Sequence, residues 1–208
     1  MRAFLRTHGR LAIVPDPGEP DLATLDDQAF RDSGRAALML EPVGPYDEIR
    51  MTPINVTSRH RDPAIRLISN FAATPFELDG EPFASVEGFW QSRRTEDPDE
   101  RRRIAGLARA EARAAGVALG SPGTITFRGR AIGWGSPDHW DVMRVACRAK
   151  FAQAADARAA LLATRPRPLE HRTRVDSRSI PGAIMAAIWM ELREEFAVLA
   201  AKHAASTG

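Results

Sequence analysis

Three helix starts are spelled out along the middle of this chain, and they commit it to a mainly helical fold. Asp97-Pro98-Asp99-Glu100 supplies a capping carboxylate, a proline at the first helical position and an acid at the third. Such a run satisfies otherwise orphaned amides and suits the positive end of the helix dipole. Ser136-Pro137 repeats the device, and Ser85 stands as a third cap ahead of Val86. The spacing predicts a helix from Ser85 toward Arg94 with Glu87 in its first turn, and another from Pro98 to about Gly116. A helix from Pro137 sets Trp140, Met143, Cys147 and Phe151 on one face, which makes Cys147 a buried thiol. A shorter helix over residues 156–164 stops at the Arg-Pro-Arg-Pro stretch that follows. The last long helix begins near Pro181, with Ile184, Ile188, Leu192 and Phe196 as its inward stripe.

The β signals come earlier. INVTSRHRDPAIRLISNF, from residue 54, reads as two short β-like pieces around a polar RHRDP turn, and FELDGEPF as a hairpin through Asp79-Gly80. The expected architecture is therefore α+β, mainly helical: a single domain over residues 54–208 with a small antiparallel β element before the helices. Residues 1–53 form an N-terminal extension rich in Pro, Gly and Asp. Its apolar runs at 11–14 and 36–40 suit strands or a brief helix.

Composition narrows the function. The chain's 29 basic and 27 acidic side chains leave a net charge of +2, which by itself points neither to nor away from nucleic acid. With Cys147 the only cysteine, no intrachain disulfide or CxxC metal cage can form, and a reducing, cytoplasmic location is expected. There is no apolar segment of membrane-spanning length and no signal-like apolar run before Pro15. Dinucleotide, P-loop and nucleophile-elbow motifs are absent, so those enzyme classes have no support. His139 and His171 fit no metal spacing, and no metal or cofactor is predicted.

Two blocks resemble the NADAR, or YbiA-like, family. ISNFAATPFELDGEPFASVEGFWQSRR, residues 68–94, is similar to the family's S-N-F, short hairpin and S-x-E-H-aromatic-aromatic-Q pattern. WDVMRVACRAKFAQAADARAALLATRPRPLEH, residues 140–171, with MELREEF at 190–196, resembles its V-M-x-x-A-x-x-A-K-F run, L-L-x-T turn and closing helix. The resemblance implies an N-glycosidase of ribosylated or ADP-ribosylated bases. Known activities of the family are cleavage of a ribosylamino-pyrimidine intermediate of riboflavin synthesis and removal of ADP-ribose from guanine. It implies Glu87 as the acid of the first motif, Asp176 as the acid after the E-H pair, and Trp134 as the active-site tryptophan, with Trp140 competing. ADP-ribosylated DNA and an ADP-ribosyltransferase toxin are implied partners. The chain departs from the pattern where Gly88 replaces the motif histidine and where Arg178-Ser179-Ile180-Pro181-Gly182 replaces a W-G pair. Both departures favour an ADP-ribose-type substrate.

The residues also speak for themselves. Breaking an N-glycosidic bond passes through an oxocarbenium-like sugar, so a carboxylate beside the anomeric carbon is required, with help for the departing base. Glu87 suits that role, against the plain alternative of a solvated or capping glutamate. Asp176, among Arg172, Arg174 and Arg178, is a second acid or part of a surface ion-pair loop. Trp134, flanked by glycines, can stack on a base. Asn70 can bind a ribose hydroxyl or serve its turn, and Phe71 and Trp90 are further candidates for substrate contact. Arg94 is a phosphate candidate. Lys150, in the A-K-F run, is a substrate contact or the partner of an acid. A non-catalytic NAD or ADP-ribose module, or a scaffold with a vestigial pocket, are the readings from another class.

Overall fold

A computed structural model describes residues 2–5, 11–14, 52–174 and 176–207. Strands β1 (Arg2–Leu5) and β2 (Leu11–Val14) pair antiparallel; the apolar run at 36–40 lies outside the described residues.

Strand β3 (Ile54–Asn55) pairs not with its sequence neighbour but in parallel with β8 (Leu169–Glu170). The Ile54 and Val56 amides donate to the Pro168 and Glu170 carbonyls at 2.8 and 2.9 Å. The second expected β piece is instead helix α1 (Pro63–Ile68). Asp62 caps it by accepting from the Ala64 amide at 2.8 Å, with Pro63 in the first turn. The polar turn is thus a helix start, and Ile65 and Ile68 face the core.

The hairpin of β4 (Phe76–Leu78) and β5 (Glu81–Phe83) forms as its sequence requires. Asp79 and Gly80 both take positive φ, 55° and 80°, as a tight two-residue hairpin turn demands. Helix α2 (Val86–Ser92) is buried along its whole length and ends two residues before Arg94. Ser85 accepts from the Gly88 amide at 2.9 Å and donates to the Leu107 carbonyl at 3.0 Å.

The single helix expected from Pro98 is two, α3 (Pro98–Ala105) and α4 (Arg109–Ala118). The break follows from tertiary demand. The carbonyls of Ala105 and Leu107, which a continuing helix would use itself, accept from the Ala84 amide and the Ser85 hydroxyl. Gly88 packs into this junction so closely that a Cβ would lie 2.4 Å from the Leu107 oxygen. On α4, Gly116 leaves the space that the Gln91 side chain fills.

A second hairpin, β6 (Thr124–Phe127) and β7 (Arg130–Gly133), has no counterpart among the sequence expectations. It turns through Arg128 and Gly129, again both at positive φ. Helices α5 (Pro137–Gln153), α6 (Ala155–Ala163) and α7 (Gly182–Thr207) complete the domain. Met143, Cys147 and Phe151 are buried on α5 and Ile188, Leu192 and Phe196 on α7, while Trp140 and Ile184 are half-buried at the edges of those stripes. The fold is α+β and mainly helical. No helix among the described residues is long and apolar enough to cross a membrane.

Candidate active site

A cavity of about 420 Å³ opens between α2, α4, the loop after α1 and the segment that leads from β8 into α7. Glu87, Asp176, Trp134, Asn70, Phe71, Trp90 and Arg94 all line it, and Lys150 does not.

Glu87 is 7 % exposed, so it is no solvated helix-face glutamate. Its backbone amide donates to the Asn70 carbonyl at 2.9 Å, and its Oε1 accepts from Nε2 of Gln91 at 2.8 Å. Burial pushes its carboxyl above the usual range, against the pull of the Gln91 hydrogen bond and of the Arg113 and Arg94 charges. A carboxyl held this way favours its acid form and can give up a proton inside the cavity.

Asn70 presents its amide to sulfur: Nδ2 donates to Sδ of Met185 at 3.1 Å and of Met143 at 3.5 Å. These are weak acceptors, and a ligand hydroxyl competes with them readily. Lys150 sits behind this loop, wholly buried, and donates to the carbonyls of Ile68 and Ser69 at 3.1 and 2.9 Å. Burial drops its amine to about 7. Lys150, expected as a substrate contact, is thus placed in the core and outside the cavity lining. Lys150 satisfies the last carbonyls of α1 from inside the core and fixes the loop whose next carbonyl holds Glu87.

One wall is a stack of rings. His139 lies against Trp90, centroids 3.9 Å apart with the rings nearly parallel, and beside Trp134 at 4.5 Å; the Arg94 guanidinium covers Trp134 at 4.7 Å. Burial, reinforced by the Arg94 charge, drops His139 to about 4, so at neutral pH its Nδ1 accepts from the Gly135 amide. Of the two tryptophans in contention, Trp134 faces the cavity. Trp140 points its indole N–H at the Ser179 carbonyl, 3.0 Å away.

Three cations line the cavity: Arg94, Arg178 and Arg113, the last unanticipated. Among the described residues neither Arg94 nor Arg113 forms an ion pair, and both act on Glu87. The Nε of Arg94 is buried without a partner, although its guanidinium also donates to the Gly120 carbonyl. Unneutralised guanidinium groups beside a cavity are suited to an anionic ligand. Asp176 is less free than its loop suggests. Its Oδ1 accepts from the amides of Gly182 at 2.8 Å and Ser177 at 2.9 Å, tying down the start of α7, while neighbouring Arg172 pairs with Glu170 instead. His171, Gln91 and Trp189 also line the cavity. The sequence weighed His171 only as a metal ligand and found no metal spacing for it, so its place in the cavity was not anticipated.

The family model described as "Bacteriophage protein GP30.3" matches residues 61–180. N-glycosidase YbiA of Escherichia coli K12 is 33% identical over 141 residues, 62% of this chain and 81% of that protein. A 17.1 kDa protein of Enterobacteria phage T4 is 39% identical over 66 residues, 32% of this chain and 43% of that protein. The NMR structure of E. coli YbiA superposes with a TM-score of 0.55 at 30% identity, covering 73% of this chain and 89% of that one.

Proposed function

This chain belongs to the YbiA-like family, and on that premise we propose that it is an N-glycosidase of an ADP-ribosylated base, guanine in DNA or in a nucleotide, or of a related ribosylated nucleotide. The observation that carries the proposal is a buried carboxyl, Glu87, inside a cavity lined by arginines that form no ion pair among the described residues. Glu87 donates its proton to the departing base as the anomeric carbon–nitrogen bond breaks. Water takes the base's place on the sugar.

Arg94, Arg113 and Arg178 favour a diphosphate over a single phosphate, because each guanidinium can serve a separate pair of oxygens. Trp134 and Trp90 line the cavity and offer a base aromatic contact. ADP-ribosylated DNA, and an ADP-ribosyltransferase toxin whose modification this enzyme reverses, are the partners that fit this substrate.

The test incubates the protein and Glu87→Gln with an ADP-ribosylated guanine oligonucleotide, ADP-ribose, NAD and a ribosylamino-pyrimidine phosphate, following released base by mass spectrometry. Release from the oligonucleotide by the wild type, slowed roughly 100-fold in the variant, supports the proposal. Release from the pyrimidine phosphate alone moves the substrate to that riboflavin-type intermediate. Tight binding of ADP-ribose with no release from any substrate makes the domain a binding module.

A further inference from the structure

His171 leaves strand β8 at the edge of the cavity, and three contacts hold it there. Its Nδ1 lies 2.7 Å from the Val56 carbonyl oxygen. A carbonyl only accepts, so Nδ1 carries the hydrogen, and in the neutral ring Nε2 keeps the lone pair. The indole of Trp189 meets the imidazole edge to face, centroids 5.4 Å apart. Gly182, the first residue of α7, approaches so closely that a Cβ there would lie 2.0 Å from the His171 carbonyl oxygen. His171 lines the cavity that Glu87 lines, and Nε2 is the ring nitrogen that no hydrogen bond among the described residues engages.

Hydrolysis of an N-glycoside uses an acid for the departing base and a base for the incoming water. The two carboxyls in the cavity are not equally placed for that work. Burial favours the acid form of Glu87. Asp176 has Oδ1 committed to two backbone amides, one of them at the start of α7.

We propose that His171 is the catalytic base that activates water, an assignment that rests on the glycosidase reading. Nε2 takes a proton from water as the water oxygen bonds to the anomeric carbon. The carbon–nitrogen bond breaks, its electron pair stays with the departing base, and Glu87 supplies the proton that base gains. Imidazolium and carboxylate then exchange one proton through solvent, which restores both groups.

Two substitutions separate this role from that of a strut. In His171→Asn the side-chain amide stands near the place of Nδ1, keeping a donor for Val56 and removing the nitrogen in the cavity. His171→Gln does the reverse, placing a polar but non-basic atom near Nε2. With the ADP-ribosylated guanine oligonucleotide, or whichever of the four substrates the wild type cleaves, both variants should lose roughly 100-fold in kcat. His171→Asn should keep the wild-type melting temperature. A kcat within about fivefold of wild type in either folded variant, beside an inactive Glu87→Gln, overturns the base assignment and leaves the glycosidase standing. Should His171→Asn fail to fold, His171→Gln decides alone. No base released by the wild type from any substrate overturns both.

Discussion

The side-chain amide of Gln91 donates to Oε1 of Glu87 at 2.8 Å, one turn further along the same helix. That bond favours the carboxylate, whereas burial, the larger influence, favours the acid.

The net upward shift fixes a pH dependence. A carboxyl whose pKa is higher folded than unfolded stabilises the fold at low pH, and that contribution disappears as pH rises through the folded value. Glu87→Gln should therefore melt above the wild type at pH 8. The gap should close as pH falls toward the ordinary carboxylate range. Activity should run the other way, with wild-type kcat declining as pH rises through the same value. Calorimetry and a pH–rate profile on one preparation check both.

Gly88 is held by close packing and not by backbone conformation. Gly88→Ala places a methyl 2.4 Å from the Leu107 oxygen, which the α3–α4 junction can relieve only by moving. The expected cost is about 1–3 kcal/mol in urea unfolding. Gly88→His, which writes in the family's motif residue, should be at least as destabilising and should not raise kcat.

Asp176→Ala and Asp176→Asn divide a structural role from a chemical one. Alanine removes the acceptor for the Gly182 amide and should cost about 1 kcal/mol of stability. Asparagine keeps an acceptor oxygen there and should retain the wild-type melting temperature. A kcat near wild type in the asparagine variant marks Asp176 as the organiser of this segment.

Arg113→Gln removes a cation that repels Arg94 and attracts Glu87. KM for the ADP-ribosylated substrate should rise roughly tenfold and become less sensitive to salt. The melting temperature should not fall, since a like-charge contact is relieved. A lower melting temperature with unchanged KM would assign Arg113 to the fold instead.

Local chemistry was readable in the sequence and tertiary demand was not. The caps at Ser85, Asp97 and Ser136 and the Asp79-Gly80 turn act through neighbouring amides, so the residues that build them adjoin them in the chain. The α3–α4 break depends on Ala84 and Ser85, more than twenty residues before the carbonyls they occupy, and no periodicity in α3 records that. Asp62-Pro63 is legible as a helix start, yet its place in the polar RHRDP run reads equally as a turn between two β-like pieces. At the site, Glu87 and Asn70 lie in a block with a recognisable pattern, and Trp134 stands out by its flanking glycines. Arg113 lies in an ordinary alanine-rich helix and reaches the cavity because Gly116 lets α4 close on Gln91. Lys150 stood out as a residue, but only the fold reveals that its amine is buried against the Ile68 and Ser69 carbonyls.

The parallel pairing of β3 with β8 joins parts of the chain far apart, and His171 reaches back 115 residues to Val56. Loop 69–71, α2, α4 and the first turns of α7 all contribute walls, so the cavity has no sequence-local precursor. A polypeptide still on the ribosome, with its early helices formed and α7 not yet emerged, lacks the Trp189 wall and the amide that fixes Asp176. The cavity is then closed in one step, when α7 docks and brings Met185 and Trp189 to its wall.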